Sequence, residues 1–484
     1  MMKTKLPVWS VGLLAVVMLS ACPNTFVPLK SQIEIPQKFD HAAAAKGSTE
    51  IKQWWRNWHD PVLTALIEQG LTQNHDMRIA LSRLNEARAI NKMAEADMGP
   101  MVGLSGSAGL IRGNADNPLN RDTRALLGRF PQTSNMADDT QSIQGSSLTG
   151  GFTASWEPDI FGVKRSDADA AGYASIGVQE QVYGAQILLA ADIADNYFQA
   201  RAAQKSMQIS QQRITVMQRM LQYVTGRFQS GQLTRYEVGD VESKLTALQA
   251  RQATIQTEYD TAVRKIAVLI GQTPQQFNLP ESSIDVLAIQ PAAPSGQTPQ
   301  GMLGRRPDIR TQEAQVNAYA AKLASAKADL LPRFTINFLG QGGKISVDSD
   351  SALKGWGNLL GVGIQVPIFT NGRLKANIAA SDARLQAALL QYDQAVLRAL
   401  GEVDSAYQAK YALSRQSLLL AKAQQQAARQ AADAQKLFKY GHKTLDEALK
   451  ARLMQYEMAE NLLHTQVTGA QASINLYKAL GGGW

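Results

Sequence analysis

Few residues in this 484-residue chain have the types and spacings that do chemistry. The histidines, His41, His59, His75, His442 and His464, fall in no metal-ligand spacing such as HExxH. No Gly-x-Ser-x-Gly elbow, phosphate loop or dinucleotide fingerprint stands on a strand-to-helix turn, so no catalysis is expected and no cofactor is called for. What remains is a thiol and a cluster of charges. Cys22 is the only cysteine. A lone thiol cannot make an internal disulfide, but it can carry a covalent group. Lys443 and Glu447 stand four apart, the spacing of a helical surface ion pair worth a few tenths of a kcal/mol. Asp446, Glu237 and Asp240 supply further acids in similar surroundings.

The first residues assign a use to Cys22. Lys3 and Lys5 precede an apolar stretch from Val8 to Leu19, about a dozen residues long. That is the length of a signal-peptide core and too short to span a bilayer. It ends in Leu19-Ser20-Ala21-Cys22, and small residues directly before a cysteine resemble a bacterial lipobox. Cleavage after residue 21 would leave Cys22 first, with diacylglycerol on its thiol. Position 23 is Pro, not the Asp that favours inner-membrane retention in similar lipoproteins, so sorting to the outer membrane is expected.

The elements that position these residues follow from composition and pattern. The chain is 45% hydrophobic but only 7% aromatic, a composition for close helix packing. Its formal net charge of +8 is spread among acids, which reads as a solvated surface and not a nucleic-acid stripe. No apolar run after the signal reaches about 18 residues. A spanning segment would have to be a β-barrel.

An internal duplication organises the whole. Ala96-Asp97-Met98-Gly99-Pro100 recurs as Ala328-Asp329-Leu330-Leu331-Pro332, and Pro158-Asp159-Ile160-Phe161 as Pro367-Ile368-Phe369. Phe228-Gln229-Ser230-Gly231 recurs as Phe438-Lys439-Tyr440-Gly441, and Ile270-Gly271 as Leu480-Gly481, both at an offset of 210. Each copy reads as short helix, strand, loop, strand, long helix, tight turn, long helix. The short helices run from about Asp76 to Asp97 and from about Asp308 to Asp329. Strands near 101–112, 148–158, 333–342 and 358–368 alternate one greasy face with one small or polar face, as in a barrel wall. The Asn114–Pro118 and 346–351 stretches read as exposed loops.

The long helices are expected over 162–270 and 371–480. Met207, Ser210, Ile214, Met217, Leu221, Val224 and Phe228 are spaced 3-4-3-4-3-4, a heptad seam. Leu449, Leu453, Tyr456, Leu463, Val467, Ala470, Ile474 and Tyr477 follow the same rule with one missing beat. A helix from Val163 to Phe228 would be about 95–100 Å long, too deep for a globular core.

With those residues in view, the chain resembles the TolC-type outer-membrane efflux family, particularly its lipoprotein (NodT-like) branch among channels for RND pumps. Trp54-Trp55 with Asp60-Pro61-Val62-Leu63-Thr64-Ala65-Leu66-Ile67 is similar to that branch's opening signature. Arg305-Arg306-Pro307-Asp308-Ile309-Arg310, then Ala328 to Pro332, is similar to its second-half signature, Pro367 to Leu374 to its strand-to-helix turn, and Ala479 to Trp484 to its ending. Thr370-Asn371 departs from the commoner Asp-Gly. The resemblance implies a mixed α and β membrane protein, a homotrimer whose 12-stranded β-barrel, four strands per subunit, continues into a periplasmic α-helical barrel. It implies a signal peptide over 1–21, a lipid-anchored segment over 22–60, a first repeat over 61–272, a linker over 273–300 and a second repeat over 301–484. It implies a passive exit duct for small molecules such as drugs, dyes or toxic organics, lipid-anchored in the outer membrane. The partners would be a periplasmic adaptor, an inner-membrane RND-type pump and outer-membrane lipid, with no nucleic acid. Gly231 and Gly441 would lie at the adaptor-contact tip. Phe438, Lys443 and Glu447 would fall at the periplasmic gate, while Lys450 stands where a second acid is usual. A duct for type I protein secretion and a structural coiled-coil lipoprotein are the rival readings.

Overall fold

A computed structural model of the chain describes residues 33–132, 137, 140–347 and 353–484. Cys22 and the signal segment lie outside the described residues. The chain forms α1 (Pro61–Gln73), α2 (His75–Ala96), β1 (Met101–Asp116), α3 (Arg121–Leu127), β2 (Thr140–Trp156), α4 (Val163–Gln229) and α5 (Arg235–Leu269). The same order then returns with α6 (Pro299–Leu303), α7 (Pro307–Ala328), β3 (Arg333–Val347), β4 (Leu353–Gln365), α8 (Arg373–Lys439) and α9 (Leu445–Ala479).

The duplication is visible in helix lengths. Helices α4 and α8 are each 67 residues, α5 and α9 each 35, and α2 and α7 each 22. Among the described residues no helix is long and apolar enough to cross a membrane. The two copies are not two bodies, for each of two compact units draws on both. Among the described residues one takes in 89–172 and 318–385, the other 33–88, 173–317 and 386–484.

The first unit holds a four-stranded antiparallel meander in the order β1-β2-β3-β4. Its strands reach further than the alternation predicts. Asn114–Asp116, read as loop, pair with Ser142–Thr140, and Ser346 of the second expected loop pairs with Ser146. A ladder needs only backbone donors and acceptors. These ends are polar on both faces, so they carry no alternation to read. The last strand is displaced from the expected 358–368, starting earlier at Leu353 and stopping at Gln365 ahead of Pro367, which has no N–H to donate. The long loop of the first copy also holds α3, whose N-cap Asn120 accepts from the Thr123 N–H at 2.8 Å.

The second unit has its core around Trp54, Trp58, Tyr197, Phe198, Tyr407 and Tyr477, all buried. The Trp54 ring stacks on Tyr477 at 5.6 Å and 12°. Asp60 is only 1% exposed and caps α1, accepting from the Val62 N–H at 2.9 Å. The Tyr197 hydroxyl donates to its other oxygen at 2.6 Å. The linker expected over 273–300 is packed chain, with Leu279, Val286, Leu287 and Ala293 in the core and Pro294 bridged to Gly47.

The residues just before α2 and α7 solve one problem in two ways. Asn74 donates its amide to the Leu269 carbonyl at the end of α5, at 2.9 Å. Arg306 donates to the Ala479 carbonyl at the end of α9, at 3.1 Å, and also to Asp308 and Glu402. Both satisfy a helix-end carbonyl that has no intrahelical partner.

Candidate functional site

The sheet separates two chemistries. Register places Val102, Ala154, Phe338 and Leu360 in one row across the four strands, with Ile336, Val362 and Ile364 on the same face. The opposite face carries Gly103, Ser105, Thr149, Gly151, Thr153, Asn337, Gly361 and Gly363, with Leu339, Ile345, Leu353 and Leu359 set among them on β3 and β4. The apolar face is not covered by the chain itself: Leu104 is 90% exposed and Val362 71%. An open patch of this kind marks a surface that meets lipid or another protein. Packing along this face is close. Phe152 and Phe338 stack at 5.1 Å, and a Cβ at Gly340 would stand 2.9 Å from the Phe152 ring. Strands β1 and β4 each have one neighbour, so both outer edges present unpaired backbone groups.

The strand-to-helix turns come next. Asp159 accepts from the backbone N–H groups of Lys164 and Arg165 at 3.1 and 2.7 Å, closing the start of α4. Gly162 and its counterpart Gly372 take positive φ, 81° and 77°.

The second feature is the pair of tight turns between the long helices. Gly231 and Gly441 have φ of 73° and 77°, the left-handed region that favours glycine. Each makes a Schellman ending: Gly231 N–H donates to Phe228 and Gln232 N–H to Arg227, both at 2.9 Å. In the second copy Gly441 N–H donates to the Phe438 carbonyl at 3.0 Å and His442 N–H to Leu437 at 2.9 Å. Each following helix opens with a capping box, Thr234 with Glu237 and Thr444 with Glu447. Beside the turns, Met217, Met220 and Val224 of α4 pack with Val238 and Val241 of α5 and Leu449 of α9. Of the expected heptad seam, Ser210, Ile214, Met217 and Val224 are buried, Met207 and Leu221 are half-buried and Phe228 is exposed, while Val216 and Met220 widen the buried stripe.

Glu447 is held by its own neighbourhood. Its Oε1 accepts from Lys443 Nζ at 2.9 Å and its Oε2 from the Thr444 N–H at 3.0 Å. These donors, the Lys443 ammonium first, bring its carboxyl down to about 2, so it is ionised at neutral pH. Glu237 is lowered too, first by the Thr234 hydroxyl. Lys450 pairs with Asp446 at 2.8 Å. Phe438 is half-buried at the end of α8. The structure thus places Phe438, Gly441, Lys443 and Glu447 on one turn and its following helix, and Gly231 on the equivalent turn. The two capping boxes were missed by sequence reasoning. Their signal was present, because Thr234-x-x-Glu237 and Thr444-x-x-Glu447 both fit the helix-start pattern.

Known proteins share this fold. The profile of the outer membrane efflux protein family matches residues 66–272 and 298–482. A pyoverdine export outer membrane protein of Pseudomonas aeruginosa, OpmQ, is 28% identical over 475 residues, covering 97% of this chain and 96% of that one. Nodulation protein T of Rhizobium leguminosarum bv. trifolii is 26% identical over 406 residues, covering 80% and 79%. The solved outer-membrane channel OprN superposes with a TM-score of 0.77 at 26% identity, covering 95% of this chain and 99% of that one.

Proposed function

Because the chain belongs to the outer membrane efflux protein family, we propose that three copies close one 12-stranded barrel and one helical conduit through which small molecules leave the cell. The chain is an outer-membrane channel subunit of a tripartite efflux system. The observation that carries the assembly is the sheet with two open edges and an uncovered apolar face. In lipid each unpaired backbone group would cost several kcal/mol, so the edges must be closed by other strands. Two copies would give eight strands and an interior filled by side chains, whereas twelve leave a passage. The face rich in Ser, Thr, Gly and Asn lines that passage, and the face of Val, Leu, Ile and Phe meets lipid.

The same reading assigns the remaining parts. Cys22 carries the lipid. The turns at Gly231 and Gly441 meet a periplasmic adaptor, and an inner-membrane RND-type pump supplies the energy, for the chain itself is a passive duct and not an enzyme. A relative named for pyoverdine export supports a small organic cargo. Deleting the gene in its host should raise retention of a fluorescent dye, and the intact gene should restore export. A Cys22→Ala gene then reports whether the anchor is required. Unchanged retention, with purified protein still forming pores in planar bilayers, would remove the cargo assignment. Absence of pores would remove the conduit itself.

Phe438, Lys443 and Glu447 form the gate in this reading, with three copies of Glu447 around one axis. Glu447→Gln is a clean probe, since Gln also serves in a capping box while losing the charge. Conductance through planar bilayers should become less cation-selective. Selectivity equal to the parent's would show that Glu447 acts only as a helix cap.

A further inference from the structure

The apolar face of the sheet ends in two like charges. Register places Lys344 directly opposite Lys354, in a row completed by Ala108 and Leu148. Residues paired in this way point to one side of the sheet, with Cβ atoms about 5 Å apart, and like charges so placed repel. Both lysines are exposed, and among the described residues neither is ion-paired with a carboxylate. Residues 348–352, which join β3 to β4, lie outside the described residues.

The adjacent row is equally distinctive. It reads Gly106, Gly150, Gly342 and Trp356 across the four strands. Three positions without side chains leave a bare backbone floor, and Trp356, 85% exposed, stands as its one wall. Leu104 and Phe152 continue the greasy surface in the next row. An indole at the border between an apolar band and charged groups is the arrangement of a membrane-interface girdle.

We infer that Lys344 and Lys354 bind the phosphate group of a membrane lipid on the outer wall of the barrel, with the lipid's acyl chain lying on the Gly106–Gly150–Gly342 floor beside Trp356. This rests on the reading of the sheet as a barrel wall whose apolar face meets lipid. A phosphate placed between the two ammonium groups turns their mutual repulsion into two charge-assisted hydrogen bonds. The glycine floor admits a chain that any larger residue would lift away.

The full chain, purified in neutral detergent, would be titrated by native mass spectrometry with phosphatidic acid, with diacylglycerol of the same chains, and with phosphatidic acid in the presence of inorganic phosphate. The parent should hold phosphatidic acid at least roughly tenfold better than diacylglycerol, taking each lysine as worth about a factor of five near a lipid surface. Lys344→Gln with Lys354→Gln should abolish that preference. Displacement by inorganic phosphate at equal concentration would overturn a lipid source for the anion. Planar-bilayer conductance of both proteins separates the two readings. A parent that forms pores but holds both lipids equally overturns this inference alone. A parent without pores overturns the barrel wall and the inference with it.

Discussion

Lys410→Met should make the folded chain more stable at neutral pH. Lys410 lies in α8 and is 2% exposed. Its Nζ donates to the Ser473 hydroxyl at 2.7 Å, and among the described residues it has no carboxylate partner. Burial disfavours the ammonium and pushes its pKa down to about 8. In the unfolded chain an ordinary lysine titrates near 10.4. Below about pH 8 both states hold the proton, and the folded state bears the full cost of a buried charge. Between about pH 8 and 10.4 the unfolded state holds more protons, so stability rises with pH there. The cost at neutral pH is roughly 3 kcal/mol, reduced to a net gain of about 1–2 kcal/mol by imperfect repacking of Met. Ser473 is not orphaned, since its hydroxyl also donates to the Gly469 carbonyl at 2.9 Å. Chemical unfolding at pH 7 should show a higher midpoint, and the variant should lack the parent's rise above pH 8. A variant less stable at pH 7 with the parent's slope would mean that Lys410 is matched by a group near it.

Trp54→Ala should have the opposite sign and a larger size. Trp54 is 0% exposed, stacks on Tyr477 and meets Trp55 and Trp58 edge-on at 5.6 and 5.9 Å. Removing it empties the centre of the second unit and costs about 3–5 kcal/mol. The midpoint of chemical unfolding should fall accordingly, with protease cutting appearing in residues 33–60. Trp54→Phe should recover a good part of the loss, because a ring still faces Tyr477. Equal loss from both substitutions would mean that the full indole volume, and not a ring facing Tyr477, sets the packing, since the Trp54 N–H has no hydrogen-bond partner among the described residues.

These two residues show where the sequence was legible. Repeats, helix ends and the heptad seam were readable because their causes are local. Gly231 and Gly441 end helices because of their own backbone freedom, and Met217 is buried because of its spacing. The tryptophans were seen only as part of a signature. That they form the centre of a core depends on Tyr477, more than 400 positions away in the chain, which no local rule reaches. Lys410 gave no signal at all, because a lysine in a long Gln- and Ala-rich helix reads as solvated until α9 is packed over it. Lys443 and Glu447 were readable as types, and their local geometry is that of a capping box with a surface ion pair. The polar ends of β1 and β3 were read as loops because backbone pairing leaves no mark on side-chain pattern.

The equal lengths of α4 and α8, and of α5 and α9, also govern how such a chain can change size over evolutionary time. Losing seven residues from each helix of one hairpin keeps the seam in phase but withdraws its end by about 10 Å. The other hairpin keeps its reach, and the two ends no longer match. Only paired edits in both copies keep the hairpins equal. Between the strands no such rule applies: residues 117–139 join β1 to β2, while 348–352 suffice for β3 to β4. The strand connections are thus free to drift in length, copy by copy, while each helical hairpin is tied to its twin.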